Sequence, residues 1–447
     1  MDNIVNFNNI KQNNYRNKIK NVRFGLHKLK LVTDTGLLRE FYFIALKHKE
    51  TGITLSITPF SKYLRFTIKN LDTRKPETVR SKGIFACALL NYVFIEKYDE
   101  FKITDIRDIT IEHGNRFIHD YAYGLTGKCD NKLKSKTTVK RTIKEVASFY
   151  VFIQRTYKKS AKNIYGIKML KKTEIYNKHE DKMKECYITP FTINMTEFKN
   201  NDIFRDIPNK VMNILLKLSE LYYPEITLAI ALQAYAGLRP GEVCNVRQAT
   251  SPLGGISITR RGDKFITFTI DLSHKYSMRS DLVDVGNIKK RRKQRVYTPF
   301  LPVIKMIYEK HLDYLDNVNF EERYSPMFVN SNGMAMTYIS YKEKFERLIS
   351  DYVIPELVNH DDSELRHYGE LLLENRLSPH ALRHWFTVQL VLDGLSTEMI
   401  AIWRGDNNLD SASQYYKNKS ELMNIYHEAN NEFFNDIISY GGDIDVN

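Results

Sequence analysis

The stretch "PHALRHWF", residues 379–386, places two histidines and an arginine within five positions, directly ahead of an apolar run. Ser378 is a good N-cap, Pro379 suits the first helical position, and the glycine in "LVLDG" predicts where the helix ends. His380 and Arg383 then share one face of the first turn, where backbone N–H groups already favour an anion. The stretch therefore predicts a helix whose N-terminus holds phosphate.

Two other interpretations of this stretch are open. The histidines at 380 and 384 have the spacing of a helical zinc pair, but the residues between them include no glutamate, and an arginine there would repel a cation. We therefore expect no metal. The second alternative is an ordinary capped helix with surface polar residues, because His-x-x-Arg also occurs at His113 and Arg116.

Composition indicates a globular chain with a basic surface. The 447 residues are 43% hydrophobic and 27% charged, with a net charge of +14, which is an ordinary globular profile and a length sufficient for about three domains. Basic residues cluster in 131–162 and in "IKKRRKQR" (288–295). Such clusters among aromatic residues favour nucleic acid as a partner, with a solvated lysine-rich face as the alternative.

Cysteine usage and apolar runs predict the compartment. The four cysteines are scattered without CxxC pairs, which fits a reducing, cytosolic environment. The N-terminus lacks the apolar core of a signal peptide, and we find no apolar run near the roughly 20 residues of a membrane span. We expect a cytoplasmic protein without a membrane partner.

Periodicity predicts the domain organisation. The segments "ITLSITPF" and "LRFTIKN" predict short strands near the N-terminus, whereas "FITFTIDL" and "RVYTPF" predict paired strands within a β-rich section at 254–300. Helices are predicted at 207–222 and 225–236. The predicted divisions are a small β-containing module at 1–80, a helical domain at 81–165, a linker at 166–204, a mostly helical α+β domain with a small antiparallel sheet at 205–435, and an acidic tail at 436–447.

A second motif, "AYAGLRPGEVCNVR" (234–247), places an arginine at the end of an apolar helix. The turn built by Gly237 and Pro240 is expected to fix the Arg239 guanidinium inward, and Glu242 is placed to hold its orientation. Further on, "AIWRGDNNLDSASQYYKN" (401–418) predicts a short helix ending near its glycine, followed by a loop and two tyrosines.

Together these segments resemble the tyrosine recombinase (phage integrase) family. In that family an arginine in a "GLRxxE" context, a hairpin lysine, a His-x-x-Arg pair and a C-terminal tyrosine nucleophile share one active site. The resemblance implies that Arg239, His380 and Arg383 are catalytic. Tyr415 lies 32 residues after Arg383, which is about the family's spacing and selects it over Tyr416.

The same spacing tests the second His-x-x-Arg. Counted from Arg116, the position reached is Ser148, which is no nucleophile of this family. The resemblance therefore implies that His113 and Arg116 are not part of the active site.

The resemblance does not settle which residue is the hairpin lysine of the active site. The family pattern, Lys-x-x-Lys-x-Arg ahead of a strand, matches "KRRKQR" (290–295) and implies Lys290. Lys289, Lys293 and Lys275 remain alternatives.

One position departs from the family. Nine residues before its nucleophile the family usually has histidine or tryptophan, whereas this chain has Asp406. An ionised aspartate would repel phosphate, so we expect it to pair with an arginine such as Arg404 or to be protonated. Trp403 is expected to take over the packing role.

The resemblance implies a multidomain, mainly α fold. The helical domain would be a core-binding domain that clasps DNA opposite the catalytic domain, and residues 1–80 an arm-type DNA-binding module. The residues expected to contact DNA are Lys134, Lys136, Lys140, Arg141, Lys144, Arg291 and Arg292.

The implied function is a site-specific DNA recombinase, the integrase of a mobile element. It would cut and rejoin double-stranded DNA through a 3′-phosphotyrosyl intermediate without metal, ATP or another cofactor. Four protomers would act on two duplexes near the bacterial nucleoid, with an accessory directionality protein as a further partner. The alternatives are a type IB topoisomerase-like or hairpin-forming resolvase, and a non-catalytic DNA-binding protein with a decayed site.

Overall fold

The computed structural model of the chain consists of two compact units. One unit comprises residues 1–31 and 39–202, and the other comprises residues 32–38 and 203–447. Both units are mainly helical with small antiparallel sheets, which confirms the predicted fold class. The residues that the structure describes are 15–32, 38–66, 76–127, 131–177, 182–199, 206–318 and 324–406.

The first unit combines three strands with a helical bundle. Strands β1, β2 and β3 form one sheet in that order, and β4 pairs with β5 in a separate antiparallel hairpin. Its elements are β1 (Val22–Val32), β2 (Leu38–His48), β3 (Thr54–Ile57), α1 (Ser61–Arg65), α2 (Pro76–Asn91), α3 (Tyr98–Phe101), α4 (Ile111–Ala122), α5 (Lys136–Tyr157), β4 (Lys171–Asn177) and β5 (Lys182–Ile188).

The N-terminal strands share a core with the helices. Ile44 of β2 and Tyr63 of α1 are buried in the same hydrophobic cluster as Phe149 of α5, and the Tyr63 and Phe149 rings lie 4.8 Å apart. A small sheet with one apolar face needs a helical layer to cover it. The described part of residues 1–80 therefore packs with the helical bundle.

Two further segments of this unit differ from the sequence prediction. The predicted linker at 166–204 contains the β4–β5 hairpin, paired from Lys171 with Ile188 to Asn177 with Lys182. Its charged strands carry little of the apolar alternation that identifies a half-buried strand. The predicted strand "LRFTIKN" begins inside helix α1.

One helical segment of this unit is long and apolar enough by composition to cross a membrane, although no such run was predicted from the sequence. It spans Thr78–Glu96, and 50% of its apolar window is buried inside the protein. Leu89, Leu90 and Tyr92 of this segment belong to the hydrophobic core. The core helix of a soluble protein passes the same test.

The second unit places a three-stranded antiparallel sheet beside a set of helices, with strand order β6, β7, β8. Its elements are α6 (Asn209–Tyr222), α7 (Pro224–Ala236), α8 (Pro240–Val243), β6 (Ile256–Arg261), β7 (Lys264–Asp271), β8 (Lys293–Arg295), α9 (Leu301–Asp316), α10 (Tyr338–Leu348), α11 (Ile354–Val358), α12 (Ser363–Glu374), α13 (His380–Leu392) and α14 (Thr397–Arg404). The predicted helices at 207–222 and 225–236 are confirmed.

Helix α7 is the centre of this unit. Every residue from Ile226 to Ala236 is buried, as expected for a helix that is apolar all round. It ends at Gly237, whose backbone is left-handed with φ 62°, and the Phe386 ring of α13 packs against this glycine. The close approach brings the end of α7 next to α13.

Two details of this unit correct the sequence prediction. The third strand is β8 (Lys293–Arg295), whereas most of "RVYTPF" lies outside it and Thr298–Phe300 forms a 3-10 turn. Helix α13 begins at His380 with Pro379 as its N-cap, one residue later than predicted. Pro379 offers no capping side chain, and the Ala381 N–H donates to the Ser378 carbonyl (2.9 Å).

Gly237→Ala is expected to destabilise the second unit. An added Cβ would lie 2.4 Å from Phe386 Cδ1, in a backbone conformation unfavourable for alanine. Overpacking costs about 1–3 kcal/mol, in addition to roughly 1–2 kcal/mol for the left-handed backbone. Urea unfolding followed by tryptophan fluorescence measures this, because Trp385 and Trp403 are the two tryptophans of the chain.

Gly394→Ala is the matched control. Its φ is 76°, but a Cβ there meets nothing within 4 Å, so only the backbone cost of about 1–2 kcal/mol should appear. Equal losses for the two variants would contradict the steric role of Gly237.

Candidate active site

Arg239 lies two residues after the glycine that ends α7. Its backbone is extended, and Pro240 begins α8 immediately after it. The Arg239 N–H donates to Glu242 Oε2 (3.1 Å), and its Nη1 donates to Glu242 Oε1 (3.0 Å). The contact between Glu242 and Arg239 that the "GLRPGE" motif predicted is therefore present.

Glu242 is fully buried and also binds a second arginine. Its two oxygens accept from Arg292 Nη1 (3.2 Å) and Nη2 (3.0 Å). Burial disfavours the charged carboxylate, but Arg292 and then Arg239 outweigh it and hold the pKa of Glu242 below its usual value. Glu242 thus stays ionised and holds two guanidiniums in place.

Arg292, which was predicted to contact DNA, belongs to this cluster. Besides Glu242, it donates through Nη1 to the Lys290 carbonyl (2.9 Å) and through Nε to Gln294 Oε1 (2.7 Å). The sequence offered no way to separate it from Arg291, which is exposed.

Arg383 is 2% exposed and joins the ends of two helices. Its Nη1 donates to the Gly237 carbonyl at the end of α7, and its Nη2 donates to the Arg404 carbonyl at the end of α14 (3.0 Å). Burial, together with Arg239 and Arg404, lowers the pKa of Arg383 to about 9. The guanidinium is therefore still charged at neutral pH.

Asp406 lies among the cations of the site. Its Oδ1 is 2.6 Å from Arg239 Nη2 and 3.6 Å from Lys290 Nζ, and its Oδ2 is 3.0 Å from Arg404 Nε. Both oxygens are 3.2 Å from Arg383 Nη2.

The protonation state of Asp406 follows from these neighbours. Burial opposes ionisation, but Arg383, Arg404, Arg239 and Lys290 together lower the pKa of Asp406. Of the two expectations for this residue, the pairing with Arg404 is found, and the lowered pKa favours the ionised carboxylate over the protonated form.

The structure also separates the four candidate lysines. Lys290 Nζ lies 3.6 Å from the Asp406 carboxylate, with the side chain 19% exposed. Lys275 instead pairs with Asp284 (2.8 Å), and Lys289 and Lys293 are exposed. The geometry therefore favours Lys290 as the lysine of the site.

The two histidines and the tryptophan singled out in the second unit lie on α13 and α14. His380 is exposed at the start of α13. His384 contacts Asp206 (2.7 Å between Nε2 and Oδ1). Trp403 packs edge-on against Tyr297, with ring centroids 5.0 Å apart. Among the described residues there is no group of three side chains that could hold a metal ion.

The second His-x-x-Arg has structural contacts. His113 Nδ1 accepts from the Thr110 N–H (3.0 Å) and completes a capping box at the start of α4. Arg116 pairs with Glu100 (2.6 Å) on the surface. These contacts account for both residues without a ligand.

The basic residues predicted to bind DNA in the first unit lie on or beside α5. Lys140, Arg141 and Lys144 are exposed, whereas Lys134 and Lys136 are partly buried. The Arg141 guanidinium lies over the Phe85 ring, 5.3 Å from its centroid. Tyr415 and the tail at 436–447 lie outside the described residues.

The central cluster carries an excess of positive charge. Glu242 and Asp406 are its two carboxylates, so five cations leave a net charge of +3. The five cations are Arg239, Lys290, Arg292, Arg383 and Arg404. An arrangement of fixed cations with too few counter-charges is suited to bind a further anion.

Comparisons with known proteins find similarity only in structure. No family model and no curated protein matches this sequence. A structure of the Tn1549 transposon integrase with transposon right end DNA is similar at a TM-score of 0.49 and 16% identity, covering 79% of this chain and 93% of that chain.

Two other similar structures are a site-specific recombinase and an integrase. The XerH site-specific recombinase bound to palindromic difH substrate has a TM-score of 0.45 and 14% identity, with 79% of this chain and 82% of that chain covered. The lambda integrase dimer bound to a COC′ core site has a TM-score of 0.40 and 12% identity, with 79% and 92% covered.

Glu242→Ala is expected to lower the free energy of unfolding by about 3–5 kcal/mol, because it removes the buried carboxylate between two guanidiniums. Urea unfolding followed by tryptophan fluorescence measures the loss. Since the pKa of Glu242 is lower in the folded protein, its contribution is present above the ordinary value of 4.5 and is lost as the pH falls through the lower folded value.

Glu309→Ala is the control for this variant. Glu309 pairs with Arg260 at 3.7 Å on the surface, with 41% and 48% of the side chains exposed. A surface pair contributes about 0–1 kcal/mol. A loss at Glu242 no larger than the loss at Glu309 would show that the buried pairs do not stabilise the unit.

Proposed function

We propose that this chain is a site-specific DNA recombinase of the tyrosine recombinase kind. It cuts and rejoins DNA through a covalent 3′-phosphotyrosyl intermediate, with Tyr415 as the nucleophile. The observation that carries the proposal is that Arg239 and Arg383, from two motifs far apart in sequence, contact the same carboxylate. Two arginines that share one small anion can equally share a phosphate.

The chemistry of a phosphodiester fits this pair of arginines. Attack on phosphorus builds negative charge on the non-bridging oxygens, and each guanidinium presents a planar fork to such oxygens without losing its proton. Arg383 is held rigidly by two carbonyls, and Arg239 by Glu242. Preorganised donors of this kind stabilise the developing charge most effectively, because they need not rearrange during the reaction.

The proposed reaction conserves the energy of the broken bond. The Tyr415 oxygen attacks phosphorus and loses its proton. In this proposal His380 accepts that proton. The bond to the 5′ oxygen breaks, and Lys290 protonates this leaving oxygen. The 3′-phosphotyrosyl product retains an ester that a 5′ hydroxyl can attack, so rejoining requires neither ATP nor metal.

The proposal also includes how the protein contacts DNA, how it assembles and where it acts. The exposed cations Lys140, Arg141 and Lys144 on α5 are suited to phosphate contacts along a duplex. Exchange of strands between two duplexes requires four active sites, hence a homotetramer. We further propose that the recombinase is the integrase of a mobile element, that it acts at the bacterial nucleoid in the cytoplasm, and that an accessory protein sets its direction.

A second candidate function is a non-catalytic DNA-binding protein. The specific observation that favours it is the carboxylate of Asp406 on both arginines, because a carboxylate at this place competes with phosphate. A monomer that relaxes supercoiled DNA without a preferred sequence would instead indicate a topoisomerase of the same chemistry.

The wild-type protein is expected to form a covalent adduct with nicked duplexes made from the DNA that flanks its own gene. A denaturing gel detects the adduct. Tyr415→Phe should abolish the adduct, because the variant lacks the nucleophilic oxygen, whereas the control Tyr416→Phe should retain it. The absence of an adduct on every substrate would favour the non-catalytic protein, and its persistence in Tyr415→Phe would identify a different nucleophile.

Lys290→Ala is expected to slow cleavage by about 10² to 10⁴, the usual contribution of general acid catalysis. The rate of adduct formation under single-turnover conditions measures this. Lys275→Ala is the control, since Lys275 pairs with Asp284. A larger loss in Lys275→Ala than in Lys290→Ala would reverse the assignment of the lysine.

A further inference from the structure

We infer that the Asp406 carboxylate occupies the position on Arg239 and Arg383 that a DNA phosphate takes, so that phosphate binds only in exchange for it. This inference rests on the proposed function and adds to it a built-in counter-ion that closes the site when DNA is absent. Asp406 would thus control access to the arginines without taking part in bond breaking.

The contacts of Asp406 are those of a bound oxyanion. Each of its two oxygens contacts Arg383 at 3.2 Å. Oδ1 also contacts Arg239 at 2.6 Å, and Oδ2 lies 3.0 Å from Arg404 Nε. A guanidinium binds a carboxylate and a phosphate in the same way, through two oxygens of the anion. The donors that hold this carboxylate are therefore the donors that a phosphate needs.

The end of helix α14 fixes where Asp406 lies. Gly405 is left-handed with φ 62°, its N–H donates to the Ile402 carbonyl (2.9 Å), and the Asp406 N–H donates to the Ala401 carbonyl (2.8 Å). These two bonds form a Schellman motif, which ends many helices. The end of α14 therefore fixes the backbone of Asp406 next to the arginines.

Gly405 also lies against the cluster itself. A Cβ at this position would come within 2.1 Å of Arg292 Nε, so both its conformation and its contact require glycine. The helix end can approach the arginines closely enough for Asp406 to reach them only because no side chain intervenes.

The cations need an anion whether or not DNA is present. Burial lowers the pKa of Arg383 most, and Arg239 and Arg404 lower it further, which expresses the repulsion among guanidiniums held close together. A counter-anion at their centre relieves that repulsion. Asp406 supplies one in the free protein, and a phosphodiester, which carries one negative charge, would supply the same charge in the complex.

Asp406 and a phosphate cannot share this position, because two anions at one point repel each other. The exchange requires only rotation of the Asp406 side chain, since its backbone bond to Ala401 belongs to the helix end. Replacing the single charge of Asp406 by the single charge of a phosphodiester gains little electrostatic energy. The transition state carries more negative charge and is therefore stabilised more by the cations. Because Asp406 must leave in both cases, the carboxylate weakens the binding of the bound phosphate and of the transition state alike.

The test is to measure the binding of inorganic phosphate to the full chain by calorimetry. Asp406→Asn keeps the shape of the side chain and removes its charge. Because a hydrogen-bonded charged competitor is then absent, phosphate affinity is expected to rise about 10-fold to 100-fold relative to the wild type.

Asp281→Asn is the matched control. Asp281 also binds one arginine through both oxygens, with 2.9 Å to Arg279 Nε and 2.6 Å to Arg279 Nη2. The substitution Asp281→Asn changes the net charge of the protein by the same amount as Asp406→Asn. Its phosphate affinity should remain that of the wild type. An unchanged or weaker affinity in Asp406→Asn would overturn the inference, as would an equal gain in Asp281→Asn.

Two further measurements keep the result interpretable. If Asp406→Asn does not fold by tryptophan fluorescence, Asp406→Ser replaces it with the same expectation. A crystal structure of the wild type with inorganic phosphate should show the ion between Arg239 and Arg383 with Asp406 turned away, and an ion bound while Asp406 keeps both arginines would overturn the inference. Adduct formation by the wild type tests the proposed function separately, because it can succeed or fail whatever the phosphate affinity of the variant.

Discussion

The second unit and its site depend on the hydrogen bonds that the buried Arg383 guanidinium donates to two helix ends. It donates to the Gly237 carbonyl at the end of α7 and to the Arg404 carbonyl at the end of α14. Helix ends leave carbonyls without partners, and a single fork-shaped donor satisfies one at each end. Because these bonds use part of the guanidinium, the rest is presented to the anion position in a fixed orientation.

Two carboxylates offset part of the positive charge around this guanidinium. Glu242, fully buried, holds Arg239 and Arg292 in place, whereas Asp406 lies where it contacts Arg239 and Arg383 together. The first carboxylate is enclosed by the fold, and the second lies at the end of a helix with only its side chain among the cations. A permanent counter-ion and an exchangeable one can therefore coexist in one cluster without leaving buried charges unpaired.

Local sequence predicted much of this arrangement. Apolar periodicity predicted α6 and α7 to within two residues, and the "GLRPGE" motif predicted the contact of Glu242 with Arg239. It failed where local signals were weak or absent. The β4–β5 hairpin is too charged to show alternation, and the N-cap of α13 moved by one residue because Pro379 adopts the capping position without a capping side chain.

The sequence by itself determined α6 and α7, the turn that follows α7, and the placement of His380 and Arg383 on the first turn of α13. These features depend on interactions within a few residues of each other, which periodicity and capping chemistry record directly. The tertiary structure alone decided that Lys290 and not Lys275 reaches Asp406, that Arg292 binds Glu242, and that the N-terminal strands pack with the helical bundle. These outcomes depend on which distant segments pack together, because neighbouring lysines and arginines look alike until burial and a particular carboxylate distinguish them.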